Sequence, residues 1–149
     1  MSTTQIPTTQ ATGTDFSARG TAAPRQSVWM HGVGASVVAS AATTALAAIA
    51  SAAGVSFANG GESIPLLGFT QLTLIFSLIG VGMAGVMART ARRPRTTFVR
   101  TAVVLTVLSF VPDLTFGFDA GSAVTLIALH VVAAAIVVPT LTARLARTR

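Results

Sequence analysis

The chain has 149 residues, of which 52% are hydrophobic and only 9% charged, and its mean hydropathy is +0.73. A soluble domain usually carries about 25% charged residues, so this chain cannot cover a water-facing surface, which excludes a soluble globular enzyme and excludes disorder for most of the length. The net charge of +6 and the pI near 12.0 invite a nucleic-acid reading, but nucleic-acid binders of this size are rich in exposed charge; the basic excess is better explained by membrane topology.

Residues 1–27 are rich in Thr, Ser, Gln, Gly and Pro, with almost no large apolar side chain. Such a segment cannot offset its ordering entropy by burial, so a disordered tail is expected. It does not read as a secretory signal peptide, because the apolar run that follows is too long for an h-region.

A bilayer span takes about 20 apolar residues as a helix. The first expected span is 28–54, free of formal charge. Its Ser36, Ser40, Thr44, Ala48 and Ala52, with Ala35, Ala39, Thr43, Ala47 and Ser51 on the neighbouring stripe, repeat at the spacing that lets two helix backbones approach closely. Asn59-Gly60-Gly61 is a turn signal, and Pro65 suits the first turn of a second span over 66–88. Gly80, Ala84 and Ala88 mark the small face of that span, expected to pack against the first. Gly80-x-Gly82-x-x-Gly85 formally matches a dinucleotide fingerprint, but it lies inside a charge-free span with no preceding strand.

A basic loop, Arg89 to Arg95 with Pro94 as a break, leads to the third span, 97–118, which holds Ser109, Pro112 and Asp113. Pro112 removes the donor that would pair the carbonyl of Leu108. The fourth span, 120–143, has His130 near its middle and Pro139 as an expected kink, and 144–149 form a basic C-terminus. Trp29 and Phe98 are expected as interfacial anchors at one boundary, and Phe57, Phe116 and Phe118 at the other. Short connections between four spans predict an all-α membrane protein, an up-down four-transmembrane-helix bundle.

With four spans, every Arg falls on one side: Arg19 and Arg25; Arg89, Arg92, Arg93, Arg95 and Arg100; Arg144, Arg147 and Arg149. The other side holds Glu62, Asp113 and Asp119. The positive-inside rule then puts both termini in the cytoplasm, and a composition heavy in Ala, Arg and Thr without Lys fits a bacterial inner membrane. The five Arg of the second loop are also placed to meet anionic headgroups.

His130 lies about 15 Å deep, and intramembrane ionisable groups often mark a pathway or a site. Counting from the turn, Ser109 is its expected partner, with Asp113 one turn above and within reach through a water. Two readings stand: a structural interhelical hydrogen bond, or a proton-linked or ligand-binding cluster of His130, Ser109 and Asp113. His31 lies near the cytoplasmic boundary, at a depth unlike that of His130, so the pair cannot ligate one haem; no cofactor or metal is expected. With no Cys, thiol chemistry and disulfides are excluded. No nucleophile elbow or paired interior carboxylates appear, so the expected role is non-catalytic packing or interaction within the membrane, with a homo-oligomer or membrane protein as partner and no nucleic acid. The competing reading is a small transporter or proton-linked carrier subunit.

The stretches Arg95-Thr96-Thr97-Phe98-Val99-Arg100, Leu105 to Asp113 (LeuThrValLeuSerPheValProAsp), Leu126-Ile127-Ala128-Leu129-His130 and Val137-Val138-Pro139-Thr140 resemble an uncharacterised family of small four-span bacterial membrane proteins, a domain of unknown function. The resemblance covers most of the chain from Trp29 onward and implies a Ser in span three and a His in span four, here Ser109 and His130. It implies no activity, and Asp113 stands where a less charged segment is expected from it.

Overall fold

A computed structural model describes residues 23–146, with side chains from Val28 onward. The expected disordered tail therefore lies outside the described residues up to 22. Residues 23–27 are already helical, because Pro24, at the second helical position, has an N–H neither to offer nor to leave unpaired.

Helix α1 spans Ala23–Ala52, α2 Leu66–Thr90, α3 Pro94–Leu108, α4 Phe110–Thr115 and α5 Ala120–Leu145; a two-residue strand pair, β1 Ala58–Asn59 and β2 Glu62–Ser63, lies between α1 and α2. Four segments are long and apolar enough to cross a membrane: Val28–Ala52, Leu66–Thr90, Pro94–Thr115 and Ala120–Leu145, the third being α3 and α4 in succession. The shortest has 22 residues, about 33 Å as a helix, enough for a hydrocarbon core of about 30 Å. Four such helices make this a multi-pass membrane protein.

The termini of these elements follow local chemistry. α1 closes on Gly54 (φ +95), with the N–H of Gly54 bonded to Ser51 O and that of Val55 to Ala50 O, each at 3.0 Å. These are the two bonds of a Schellman cap. β1 and β2 pair Ala58 with Ser63 and Asn59 with Glu62, leaving Gly60 (φ +62) and Gly61 (φ +94) as a two-residue turn. Both central residues need positive φ in such a hairpin, so the glycines are required there. Pro65 caps α2 from just outside the helix, not within its first turn as expected.

The third span begins three residues earlier than expected. Pro94 is a helix start and not a break: it occupies the first helical position, where its missing N–H costs nothing. Arg95 therefore belongs to the first turn of α3 and not to the loop. At the other end of the chain, α5 continues past Pro139 to Leu145 and takes Arg144 into its last turn.

α1 packs against both α2 and α5, and α3 packs against the same two helices from the other side. Thr43 meets Thr73 (3.1 Å) and Thr44 meets Thr70 (2.7 Å), whereas Gly32 faces Val81 and Trp29 faces Gly85. Numbers rise along α1 as they fall along α2, the register of an antiparallel pair. Both small-residue stripes of α1 are buried over their first part, where Ser36, Ala39 and Ala47 are 0% exposed and Thr43 1%, whereas Thr44 and Ala48 are half-buried and Ser51 and Ala52 exposed. Side chains this small bring the backbones together, so α1 gains its contacts through proximity and not through bulk.

The core forms two layers. At the end where α1 begins and α5 finishes, Val28, Ala39, Val81, Ala84, Phe98, Ala102, Val137, Leu141 and Leu145 pack together. At the hairpin end, Ala47, Phe57, Phe69, Leu126 and Leu129 do so. Two expected interfacial anchors are thereby corrected: Phe98 is 1% and Phe57 2% exposed, each a core residue. An aromatic ring close to a span end can turn inward when the facing helix offers a gap, here beside Leu141 and Leu145 for Phe98. Trp29 (48% exposed) and Phe116 (64%) remain at the surface.

Candidate functional site

The third span is interrupted where Pro112 cannot donate to the carbonyl of Leu108. α3 ends at Leu108, Ser109 forms the joint with helical torsions (φ −67, ψ −15), and α4 begins at Phe110. The joint keeps the chain on course and turns Asp113, in the first turn of α4, into the protein, where it is 7% exposed.

Asp113 Oδ2 lies 3.1 Å from Nδ1 of His130 on α5. The same Nδ1 lies 2.9 Å from the carbonyl oxygen of Leu126, one turn back on its own helix. Both neighbours are acceptors, which places the proton on Nδ1. The N–H is directed at the Leu126 carbonyl, so the contact with Asp113 is a close electrostatic one and Oδ2 remains buried without a hydrogen bond. The His130 side chain is 40% exposed. Its Nε2 makes no hydrogen bond among the described residues, and the Phe110 ring stands edge-on to the imidazole, centroids 6.4 Å apart.

Ser109, the partner expected for His130, instead donates to the Thr106 carbonyl at 2.6 Å. Asp113, expected to reach His130 through a water, touches it directly. The reason is register. Counting down equally from the turn assumed that both helices end at one height. Asp113 is two residues from the end of the third span and His130 ten from the start of α5, so α5 begins about 12 Å beyond that end, an offset covered by the four non-helical residues between Thr115 and Ala120, and Asp113 rather than Ser109 comes level with His130. Ser109, at a helix C-terminus, satisfies a nearby carbonyl, as serines often do.

A second polar cluster ties the first connection to the start of α5. The Asp119 carboxylate caps α5, accepting from Ser122 N–H (Oδ1, 3.0 Å) and from the Ser122 hydroxyl (Oδ2, 2.6 Å), and it also accepts from the Ser56 hydroxyl at 3.1 Å. The Ser122 oxygen in turn accepts the N–H of Phe57 at 3.0 Å. Phe57 is held at φ +49, a left-handed torsion that costs a non-glycine residue energy. Its ring is wedged edge-on against Phe69, centroids 5.0 Å apart. The sequence carried a sign of this clamp, since Asp-x-x-Ser before an apolar run is a helix start; the long-range partner Phe57 left none.

The Ser122 hydroxyl and N–H hold the Asp119 carboxyl below the usual carboxylate range. A depressed folded-state pKa contributes stability above the unfolded value of about 3.9, lost as pH falls through the folded value. Acid should therefore lower the thermal midpoint of the wild type in detergent more than that of Asp119→Asn. Ser122→Ala strands the buried Phe57 N–H and should cost about 1–3 kcal/mol in the same assay. An unchanged midpoint would show the clamp to be incidental.

At the opposite end Arg89, Arg92, Arg93, Arg95 and Arg100 are all exposed. His31 is on the exposed side of α1, and among the described residues no group of three His, Asp or Glu side chains is close enough to hold a metal ion.

A family model described as a family of unknown function, DUF6069, matches residues 23–147. The chain belongs to that family. The match takes in all four spans, the His130–Asp113 pair and the Arg-rich connection, and the family description assigns no activity. No curated protein and no solved structure matches the chain.

Proposed function

We propose that this DUF6069 protein is a non-catalytic interaction partner in a bacterial inner membrane, with an up-down four-helix bundle and both termini in the cytoplasm. The orientation is supported by the Arg residues, all ten on the side of the termini. There the exposed Arg of the second connection meet anionic headgroups.

The observation that carries the interaction reading is His130. Its Nδ1 is committed to Leu126 and Asp113, while the rest of a 40% exposed imidazole faces outward at bilayer depth. A polar nitrogen facing lipid tails is costly, and a helix offering a hydroxyl or amide would satisfy it. The helices that meet at His130 carry exposed apolar side chains: Val107, Val111 and Val131 are 57%, 51% and 49% exposed. The partner helix belongs to a second copy or to another membrane protein.

The absence of Cys makes a direct test simple. A Val131→Cys protein carrying a thiol-anchored cross-linker should give a discrete adduct in native membranes. Adding His130→Leu should abolish it, and the same linker at Ile75→Cys on α2 should give none. Equal yields at both positions, or no dependence on His130, would refute the reading. The buried Asp113 oxygen, without a hydrogen bond and 3.1 Å from the imidazole of His130, favours a second reading, a proton-linked carrier subunit. That reading requires flux or growth defects in a stably folded His130→Gln protein.

A further inference from the structure

The first turns of α3 and the last turns of α5 enclose a groove of about 470 Å³, lined by Arg95, Thr96, Val99, Arg100 and Thr142. On a helix of 3.6 residues per turn, Arg95 and Arg100 point about 140° apart and are separated by about 7.5 Å along the axis, with Val99 between them. Both nonetheless line the groove, reached by their long flexible stems, with the apolar Val99 side chain between them. Neither forms a salt bridge among the described residues, whose acids (Glu62, Asp113 and Asp119) lie at the other end or deep in the span. The Thr142 hydroxyl, on the α5 wall, is shielded and has no hydrogen-bond partner among the described residues. The Val99 stripe continues away from the groove as Val103 and Val107, which are 54% and 57% exposed.

We infer that this groove is a binding site for one anionic phospholipid: the phosphodiester lies against Arg95 and Arg100, and one acyl chain lies along Val99 and Val103. The chemistry on each part of the surface matches a part of such a lipid. Guanidinium groups give charge-assisted, often paired bonds to phosphate oxygens, and valines suit a hydrocarbon chain. Arg89 and Arg93, exposed at the same end, do not line the groove, so they separate a built site from general surface charge.

The test uses the full-length protein in nanodiscs of mixed phosphatidylglycerol and phosphatidylcholine, released and weighed by native mass spectrometry. Both membrane faces are accessible there, so the outcome is independent of the proposed orientation and partner. The wild type should retain one phosphatidylglycerol. Arg95→Gln with Arg100→Gln should weaken retention by about thirtyfold, the effect of two bases near a lipid surface, and by clearly more than Arg89→Gln with Arg93→Gln, which removes surface charge outside the groove. Equal losses in the two double variants, or loss in neither, would overturn the site. Displacement of the lipid by inorganic phosphate alone would overturn its assignment to a lipid and mark a free-anion site. An unchanged thermal midpoint of both variants in phosphatidylcholine alone is the control for folding.

Discussion

His130→Leu should be among the most destabilising single substitutions in the spans, by about 2–3 kcal/mol in a thermal or denaturant assay in detergent. The substitution leaves the Asp113 carboxylate, 7% exposed, with no polar side chain beside it. Breaking a fully buried pair typically costs about 3–5 kcal/mol; here the imidazole N–H is bonded to Leu126 and not to Asp113, which places the value lower. The reverse change, Asp113→Leu, should cost less. It removes the buried polar group itself, and His130 keeps its bond to Leu126 and its route to the surface. The double variant should be more stable than His130→Leu alone, because replacing both members of a buried polar pair by apolar groups is often close to neutral. His130→Gln, which retains a donor, should fall between wild type and His130→Leu. If the double variant is the least stable of the set, the pair is not the unit described.

Gly32→Val should disrupt the packing of α1 against α2 and α5 more severely than any change in the small-residue stripes beside it. A Cβ at Gly32 would lie 2.6 and 2.8 Å from the two Cγ atoms of Val81 and 3.2 Å from Cδ2 of Leu141. Val81 and Leu141 are both 0% exposed, so neither can swing away. Overpacking typically costs about 1–3 kcal/mol, and the two further methyl groups of Val put this case at the top of that range or above it. Gly32→Ala should be milder, and Val81→Ala should recover much of its loss, because it removes both methyls that the new Cβ meets. By contrast Gly80→Ala and Gly82→Ala should be nearly silent, since a Cβ at either position meets nothing within 4 Å. Thermal midpoints of the six proteins in one detergent check the set.

Those glycines illustrate what was legible in the sequence. Charge-free runs at about 20-residue length are a property of the chain itself, so the four spans could be read with boundaries shifted by a few residues. The stripes of α1 were legible because helical periodicity puts Ser36, Ala39, Ser40, Thr43 and Ala47 on one face, and all are buried. Which glycine makes the close approach depends on the facing helix. Gly80 and Gly82 were singled out by spacing, yet Gly32 is the one that meets Val81. Phe57 and Phe98 were misplaced for the same reason: nearness to a span end is a sequence property, but inward rotation is decided by the gap each ring fills. Of the candidate site, His130 and Asp113 were identified by the rarity of ionisable groups in apolar spans. Their direct contact was not, because it turns on the break at Ser109 and on the four residues between Thr115 and Ala120, which shift one helix against the other.

The proposed topology sorts all the Arg residues to one side and leaves the His130–Asp113 pair inside the membrane. Thiol labelling with a membrane-impermeant maleimide tests it most directly, since the chain has no Cys of its own. Three single variants in intact cells suffice: Glu62→Cys in the hairpin, Thr90→Cys before the Arg-rich connection, and Thr148→Cys at the C-terminus. Glu62→Cys should label in intact cells, and Thr90→Cys and Thr148→Cys only after the cells are opened. Labelling of Thr90→Cys from outside, or labelling of Glu62→Cys only after lysis, would contradict the account.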